Sequence, residues 1–250
     1  MFKNKRVYYT LIVVFSLIIV ASLAVITLKL WPEKEDFNDF KEKTSNVSSE
    51  QELPDNPIDF GSLLEQSPNV CGYIKVDGTA VDYPVMRSSD EQKEDYYLDH
   101  DWLGKSKMAG SIYMQKYNAG DFSNPCTVLY GHNMLNGSMF GTLKKFRNGD
   151  FFKENRNITV YTPGHILTYE IFSAFVYDDR HILYSFNFSK SDEYQSFLNQ
   201  VTSPKSLVKQ INPDVVPTTE DKIIVLSTCT SVDTERYLVV GRLKEDVLTK

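Results

Sequence analysis

The chain has 250 residues, of which 27 are basic and 33 acidic, for a formal charge of −6. That length suits one globular domain of about 100 to 200 residues plus appendages. Residues 1–30 hold Lys3, Lys5, Arg6 and Lys29 and no acid, so the remainder carries 23 basic against 33 acidic side chains, which excludes nucleic acid as a partner gripped through a basic face.

From Val7 to Leu28 there is no charged residue, and most positions are Leu, Ile, Val, Ala or Phe. That suits the roughly 20 apolar residues that span a bilayer as a helix. Lys3, Lys5 and Arg6 precede the run, and Glu33, Glu35, Asp36 and Asp39 follow it. Positive charge kept inside places the N-terminus in the cytoplasm and everything after Trp31 outside. The competing reading is a cleaved signal peptide. Against it, Ser22-Leu23-Ala24 is a poor cleavage site, and the run exceeds the ~7 to 15 residues of a signal core. The expected organisation is a cytoplasmic tip and transmembrane anchor over residues 1–30, a polar stalk over 31–57 and an exported domain over 58–250. The stalk is rich in Lys, Glu, Asp, Asn and Ser and has no packed core of its own.

Ile58 to Glu65 has apolar residues at helical spacing and predicts a short helix packed on the domain. Strands follow at Gly72–Val76 and Val81–Met86 across an Asp77-Gly78 turn, with Pro84 suggesting an edge position or a bulge. Further strands are expected at Ser111–Met114, Thr127–Tyr130, Ile158–Tyr161 and Leu167–Val176, the last two joined by a Thr162-Pro163-Gly164 turn. Helical turns are expected near Leu143–Phe146 and Phe151–Glu154. Asp192–Val201 is the best helix of the exported part, with Tyr194, Phe197, Leu198 and Val201 on one face and Ser191 or Asp192 as its cap. Lys222–Leu226 and Tyr237–Val240 complete about eight short strands. The fold class is therefore mainly β, an eight-stranded closed or nearly closed barrel with peripheral helices, preceded by the N-terminal transmembrane helix.

Three cysteines, Cys71, Cys126 and Cys229, are too few and too scattered for a disulfide framework, and an odd count leaves at least one unpaired. No cysteine or histidine spacing resembles a metal site, so no metal and no other cofactor is expected. If the last two strands form a hairpin, Cys229 at the end of one lies beside Arg236 at the start of the other. A thiol beside a fixed cation calls for a base. His132 follows the strand Thr127–Tyr130 and so has the same strand-end setting; adjacent parallel strands would bring His132 and Cys229 together. A cysteine at a strand end is by default a small buried hydrophobe, and Cys71 and Cys126 keep that reading. His100, His165 and His181 fall in surface, turn and polar-loop settings with no supporting motif.

Leu226-Ser227-Thr228-Cys229, Arg236 opening the next strand and Tyr130-Gly131-His132-Asn133 resemble the active-site segments of the sortases, membrane-anchored transpeptidases of Gram-positive bacteria. Gly72-Tyr73-Ile74-Lys75, Val81-Asp82-Tyr83-Pro84-Val85, Gly110-Ser111-Ile112-Tyr113, Gly137-Ser138-Met139-Phe140-Gly141 and Tyr169-Glu170-Ile171-Phe172-Ser173-Ala174 resemble class B sortases in particular. The resemblance runs from about Ile58 to Leu243. It departs from the family's pattern at Val225, where Thr is usual, and in the connection of six residues between Cys229 and Arg236.

The resemblance implies that Cys229 attacks the carbonyl of a threonine in a C-terminal sorting signal, giving a thioester that a peptidoglycan amine resolves. His132 would move the protons, and Arg236 would stabilise the oxyanion or hold the substrate backbone. The implied partners are surface proteins bearing a sorting signal, the peptidoglycan amine, and the membrane through the N-terminal helix. Ser227 lies on the face of Cys229 and is a candidate substrate contact, as are Thr228 and, with Phe186 in the family's groove wall, Tyr184. Asp233 either orients His132 or stays solvated. Three alternatives stand beside the class B reading: a pilin-polymerising sortase, a cysteine endopeptidase, and an anchored, non-enzymatic β-barrel binding module.

Overall fold

The apolar runs become strands because their alternate residues can be buried on both sides of one curved sheet. The computed structural model describes residues 54–250 and holds nine strands there: β1 (Val70–Val76), β2 (Asp82–Arg87), β3 (Ile112–Met114), β4 (Cys126–Tyr130), β5 (Asn157–Thr162), β6 (His165–Asp178), β7 (Lys209–Ile211), β8 (Ile223–Cys229) and β9 (Glu235–Leu248). The anchor read over residues 7–28 and most of the stalk lie outside the described residues; among the described ones no helix is long and apolar enough to cross a membrane. Hydrogen bonding runs β5-β1-β2-β3-β4-β8-β9-β6 and returns to β5, so eight strands close a barrel. The additional strand, β7, pairs with β6 at Ser173–Phe175, past the stretch that β5 occupies. Its three residues are too few to show alternation in the sequence.

Two neighbouring pairs, β2–β3 and β4–β8, are parallel, and the rest are antiparallel. Pro84 corrects its expectation, because β2 is an interior strand and the irregularity lies in β1, between Val70 and Gly72. The proline is tolerated since pairing with β3 begins only at Val85. The β5–β6 hairpin turns at Pro163-Gly164 with Thr162 opposite His165, and Gly164 takes φ +85, a conformation that favours glycine.

Helices cover the outside: α1 (Phe60–Gln66), α2 (Gly149–Glu154), α3 (Ile182–Ser185) and α4 (Ser191–Thr202), with 3₁₀ turns at Tyr96–Leu98 and Leu143–Arg147. The α4 face is the expected one, with Tyr194, Phe197, Leu198 and Val201 all buried. Its cap is not. Lys190 occupies the cap position, but its ammonium pairs with Glu193 and caps no backbone N–H, while the Ser191 hydroxyl donates to Thr219.

Burial then splits β8 and β9 by parity. Ile223 and Val225 of β8 and Leu238 and Val240 of β9 join Cys126 and Val128 of β4 beneath α4, forming an outer core. The alternate positions turn inward, where Ile224, Gly241, Ile158 and Tyr169 meet. Truncating Phe197, fully buried in the outer core, to alanine costs about 3 to 5 kcal/mol. Along the outer face, the next positions of the same parity are Tyr130, Ser227, Cys229 and Arg236. The candidate site is thus the uncovered continuation of a core that α4 caps.

Candidate active site

Two ladders bring the chemistry together. Across β8–β9, Cys229 is the direct register partner of Arg236, and this hairpin is the one the sequence predicts. Across the parallel pair β4–β8, Tyr130 lies opposite Ser227. β4 ends at Tyr130, and the bonds made by Gly131 and Asn133 on either side of His132, to the Ser227 and Cys229 carbonyls, keep the segment that carries the imidazole alongside the end of β8. The β8 strand itself runs to Cys229, further than the apolar run Lys222–Leu226 indicates.

Side chains then lock the rim. Gly131 N–H donates to the Ser227 carbonyl at 3.3 Å, and the buried Thr228 hydroxyl donates to the Gly131 carbonyl at 2.7 Å. Asn133 Nδ2 donates to the Cys229 carbonyl at 3.0 Å, tying the residue after the imidazole to the residue that carries the thiol. Gly131 is required here, because an added Cβ would stand 2.4 Å from Ile112 Cδ1 and 2.9 Å from Phe140 Cδ2.

Each reactive group is set differently. Cys229 is exposed, whereas Cys126 is buried and Cys71 partly so. Burial pushes the Cys71 thiol up to about 12 and raises that of Cys126 as well, so both stay protonated and inert. His132 Nε2 lies 2.8 Å from the Leu98 carbonyl. A carbonyl only accepts, so Nε2 carries a proton and Nδ1 is the nitrogen left for proton transfer. Arg236 Nη1 donates to the Asp233 and Glu235 carbonyls at 2.8 and 2.9 Å, and among the described residues no carboxylate pairs with it. Its charge and remaining donors stay available beside the thiol. Asp233 therefore acts on Arg236 through its main chain, and the partner of His132 is Leu98. A nucleophile, a proton carrier and a cation on one barrel rim form the equipment of covalent acyl transfer.

A sortase-domain family model matches residues 74–244. The chain belongs to the sortase family. Sortase B of Listeria monocytogenes is 30% identical over 208 residues, covering 80% of this chain and 75% of that protein. The crystal structure of Staphylococcus aureus sortase B superposes with a TM-score of 0.73 at 29% identity, covering 86% of this chain and 99% of that one. A substrate complex of the Staphylococcus aureus enzyme gives 0.71 at 27% identity, covering 85% and 98%. This sortase is of class B, and it is a cysteine transpeptidase of a family that works at the cell surface. Membership sets aside the reading as a non-enzymatic binding module.

The remaining sequence candidates fare unequally in this sortase. Ser227 lies on the face of Cys229 but is buried at 5% exposure. Thr228 lies on the opposite face, 4% exposed, and its hydroxyl is committed to the Gly131 carbonyl, which makes it a tether between the two segments. Tyr184 is 63% exposed in α3 and hydrogen-bonded to the Tyr117 hydroxyl. Phe186 packs against the outer core. Val225, where the family usually has Thr, is fully buried in that core, among apolar side chains.

Several residues were not singled out from the sequence. Asn133 had a signal, standing next to His132 inside the resembling motif. Leu98 had none, since it acts through its carbonyl. An aromatic row leads away from the rim: Tyr113 to Tyr130 at 5.6 Å between ring centroids, Tyr130 to His181 at 6.4 Å, His181 to Tyr184 at 3.8 Å and Tyr184 to Tyr117 at 4.8 Å. Burial above all, and then Asp95 and Cys229, raise the Tyr113 phenol. His181 reads as a polar-loop residue in the sequence; in the fold it caps α3 inside this row.

Proposed function

We propose that Cys229, His132 and Arg236 are the catalytic residues of this transpeptidase, that it cleaves a C-terminal sorting signal after threonine, and that it passes the acyl group to a peptidoglycan amine. The observation that supports the reading is the neighbourhood at one rim: Cys229 is in register with Arg236, and Asn133, next to His132, bonds the Cys229 carbonyl. The thiolate adds to the threonine carbonyl, forming a carbon–sulfur bond and an oxyanion that the Arg236 guanidinium stabilises, a contribution of about 3 kcal/mol for one such donor. Collapse breaks the peptide bond, and protonated His132 gives its proton to the departing amine. The incoming amine attacks the thioester, His132 takes the proton back, and the thiolate leaves as the new amide forms. Tyr184 and the aromatic row line the path of the peptide.

The domain plan follows: residues 1–30 as cytoplasmic tip and single-pass anchor, 31–57 as stalk, and 58–250 as the extracellular catalytic domain acting on surface proteins. The charge pattern around residues 7–28 supports the anchor. A second reading, a cysteine endopeptidase, has one observation in its favour, because an exposed Cys229 leaves a thioester open to water.

A peptide-library cleavage profile, run with and without an added amine, tests both. Transpeptidation predicts a threonine-selective cut and a ligated product that rises with amine. Hydrolysis at an unchanged rate whatever the amine supports the endopeptidase, and no cleavage of any peptide defeats both.

A further inference from the structure

The wall segment after β6 is held to the barrel in an unusual way. Apart from the local pairing of Arg180 with Asp178 at the end of β6, two hydrogen bonds among the described residues join residues 179–188 to it: His181 Nε2 with Gln115 Oε1 at 2.7 Å, and the Tyr184 hydroxyl with that of Tyr117. Both land on the turn that follows β3. That turn is a fixed post. Arg87 donates from Nε to the Asn118 carbonyl and from Nη2 to the Lys116 carbonyl, at 2.9 and 3.1 Å. Lys116 N–H is taken by Glu94 at 2.7 Å, and the buried Asn118 side chain bonds both Cys126 and Val128 of β4.

His181 is built into this junction through both ring nitrogens. Nδ1 accepts the Tyr184 N–H at 3.2 Å, which leaves Nε2 as the donor to Gln115. The ring also stacks on Tyr184 at 3.8 Å and meets Tyr117 edge-on at 6.1 Å. We propose that His181 is a positioning residue for substrate recognition: its ring bolts the α3 wall to the Gln115–Asn118 turn and so holds Tyr184 and Tyr117 as the lip of the groove that leads to Cys229. The inference rests on reading that groove as the peptide site. The bolted form needs a neutral ring, since a proton on Nδ1 would oppose the Tyr184 N–H. The groups facing the ring are Gln115, Tyr117, Tyr130 and Tyr184, and the carboxylate acting on it is Glu94.

The test uses the full chain and a fluorogenic peptide of the Asn-Pro-x-Thr-x type with alanine at the open positions. His181→Asn keeps a cap acceptor for the Tyr184 N–H but does not reach Gln115, and Gln115→Leu removes the acceptor while leaving the histidine. Each variant, and His181→Ala, is expected to raise KM by about three- to tenfold with kcat within about twofold. The His181→Asn/Gln115→Leu double variant should be no worse than His181→Asn alone, because Gln115→Leu removes a bond that His181→Asn has already removed. Thermal unfolding of each variant accompanies the kinetics. If the wild-type chain cleaves and His181→Asn and Gln115→Leu match it in KM, the bolt is refuted and the function stands. KM changes that add in the double variant, or a fall in kcat equal to the rise in KM, also refute it. If the wild-type chain does not cleave the probe while selecting other peptides from a library, the kinetics are run on the selected peptide. If it cleaves no peptide at all, the reading of the groove fails with it.

Discussion

Two regions border the thiol, and they are held by different forces. The rim of Cys229, His132 and Arg236 is set by main-chain ladders, in which β8 is paired on both sides and every residue from Ile223 to Cys229 has a register partner. The wall of residues 179–188 is set by side chains: apolar packing of Ile182, Leu183 and Phe186 on the outer core, and the two hydrogen bonds to the turn after β3. Chemistry needs atoms placed to within about half an ångström, which a closed sheet supplies. Recognition of an extended peptide needs a surface that can be tuned residue by residue. The contrast teaches that damage to the rim should appear in kcat and damage to the wall in KM.

The largest expected effect tests the rim at its nucleophile. Cys229→Ala should lower peptide turnover by about four orders of magnitude or more while leaving the thermal transition in place; retained turnover in a single-turnover assay would break the comparison at once. Next, Gly131→Ala forces a Cβ to within 2.4 Å of Ile112 between the strand and His132. We expect a fall in kcat of about 100-fold or more with a smaller change in KM, since a misplacement of about 1 Å near the chemistry has that cost.

Thr228→Val sharpens the distinction further, for it removes one buried hydrogen bond and almost no volume. It should cost about 1 to 3 kcal/mol, read from the denaturant midpoint, because the Gly131 carbonyl loses its donor. If Thr228 instead contacted substrate, KM would move and stability would not.

The smallest effect is a pH dependence of the wall. Burial holds His181 below the ordinary imidazole value of about 6.5, so its neutral, bolted form is favoured in the folded state. A depressed histidine contributes stability that is fully present above its unfolded value and is lost as pH falls through the lowered folded one. KM should accordingly rise at acid pH in the wild type, and that rise should be absent from His181→Asn. Comparing the two profiles separates the wall from every pH effect that the two proteins share. Identical acid limbs in the two would show that the wall does not titrate.

The closed barrel was legible because its strands are β-branched runs punctuated by Gly, Pro and Asp turns, and eight of them suffice to close the ring. β7 escaped because a strand of three half-exposed residues has no periodicity to show. Ser191 was expected as a cap because serine commonly serves there, yet tertiary contact with Thr219 won its hydroxyl. In the site, Cys229 and Arg236 were readable as a pair because a hairpin fixes local register. The tether made by Thr228 was not legible, because adjacency to Cys229 in sequence places it on the opposite face of the strand, where only the fold shows its partner.

The amino-acid sequence by itself determined the kind of chemistry, since only an unpaired thiol, one strand-end histidine and a hairpin arginine recur in the pattern that the sortases share. It also determined the alternation that makes a barrel. Tertiary structure alone decided which atoms serve: that Leu98 lends a carbonyl to His132, that Asn133 reaches the Cys229 carbonyl, and that His181 leaves its polar loop to join an aromatic wall. The physical reason is that pattern and propensity are read locally along the chain, whereas a hydrogen bond between residues 34, 66 or 96 positions apart exists only after the ladders have closed.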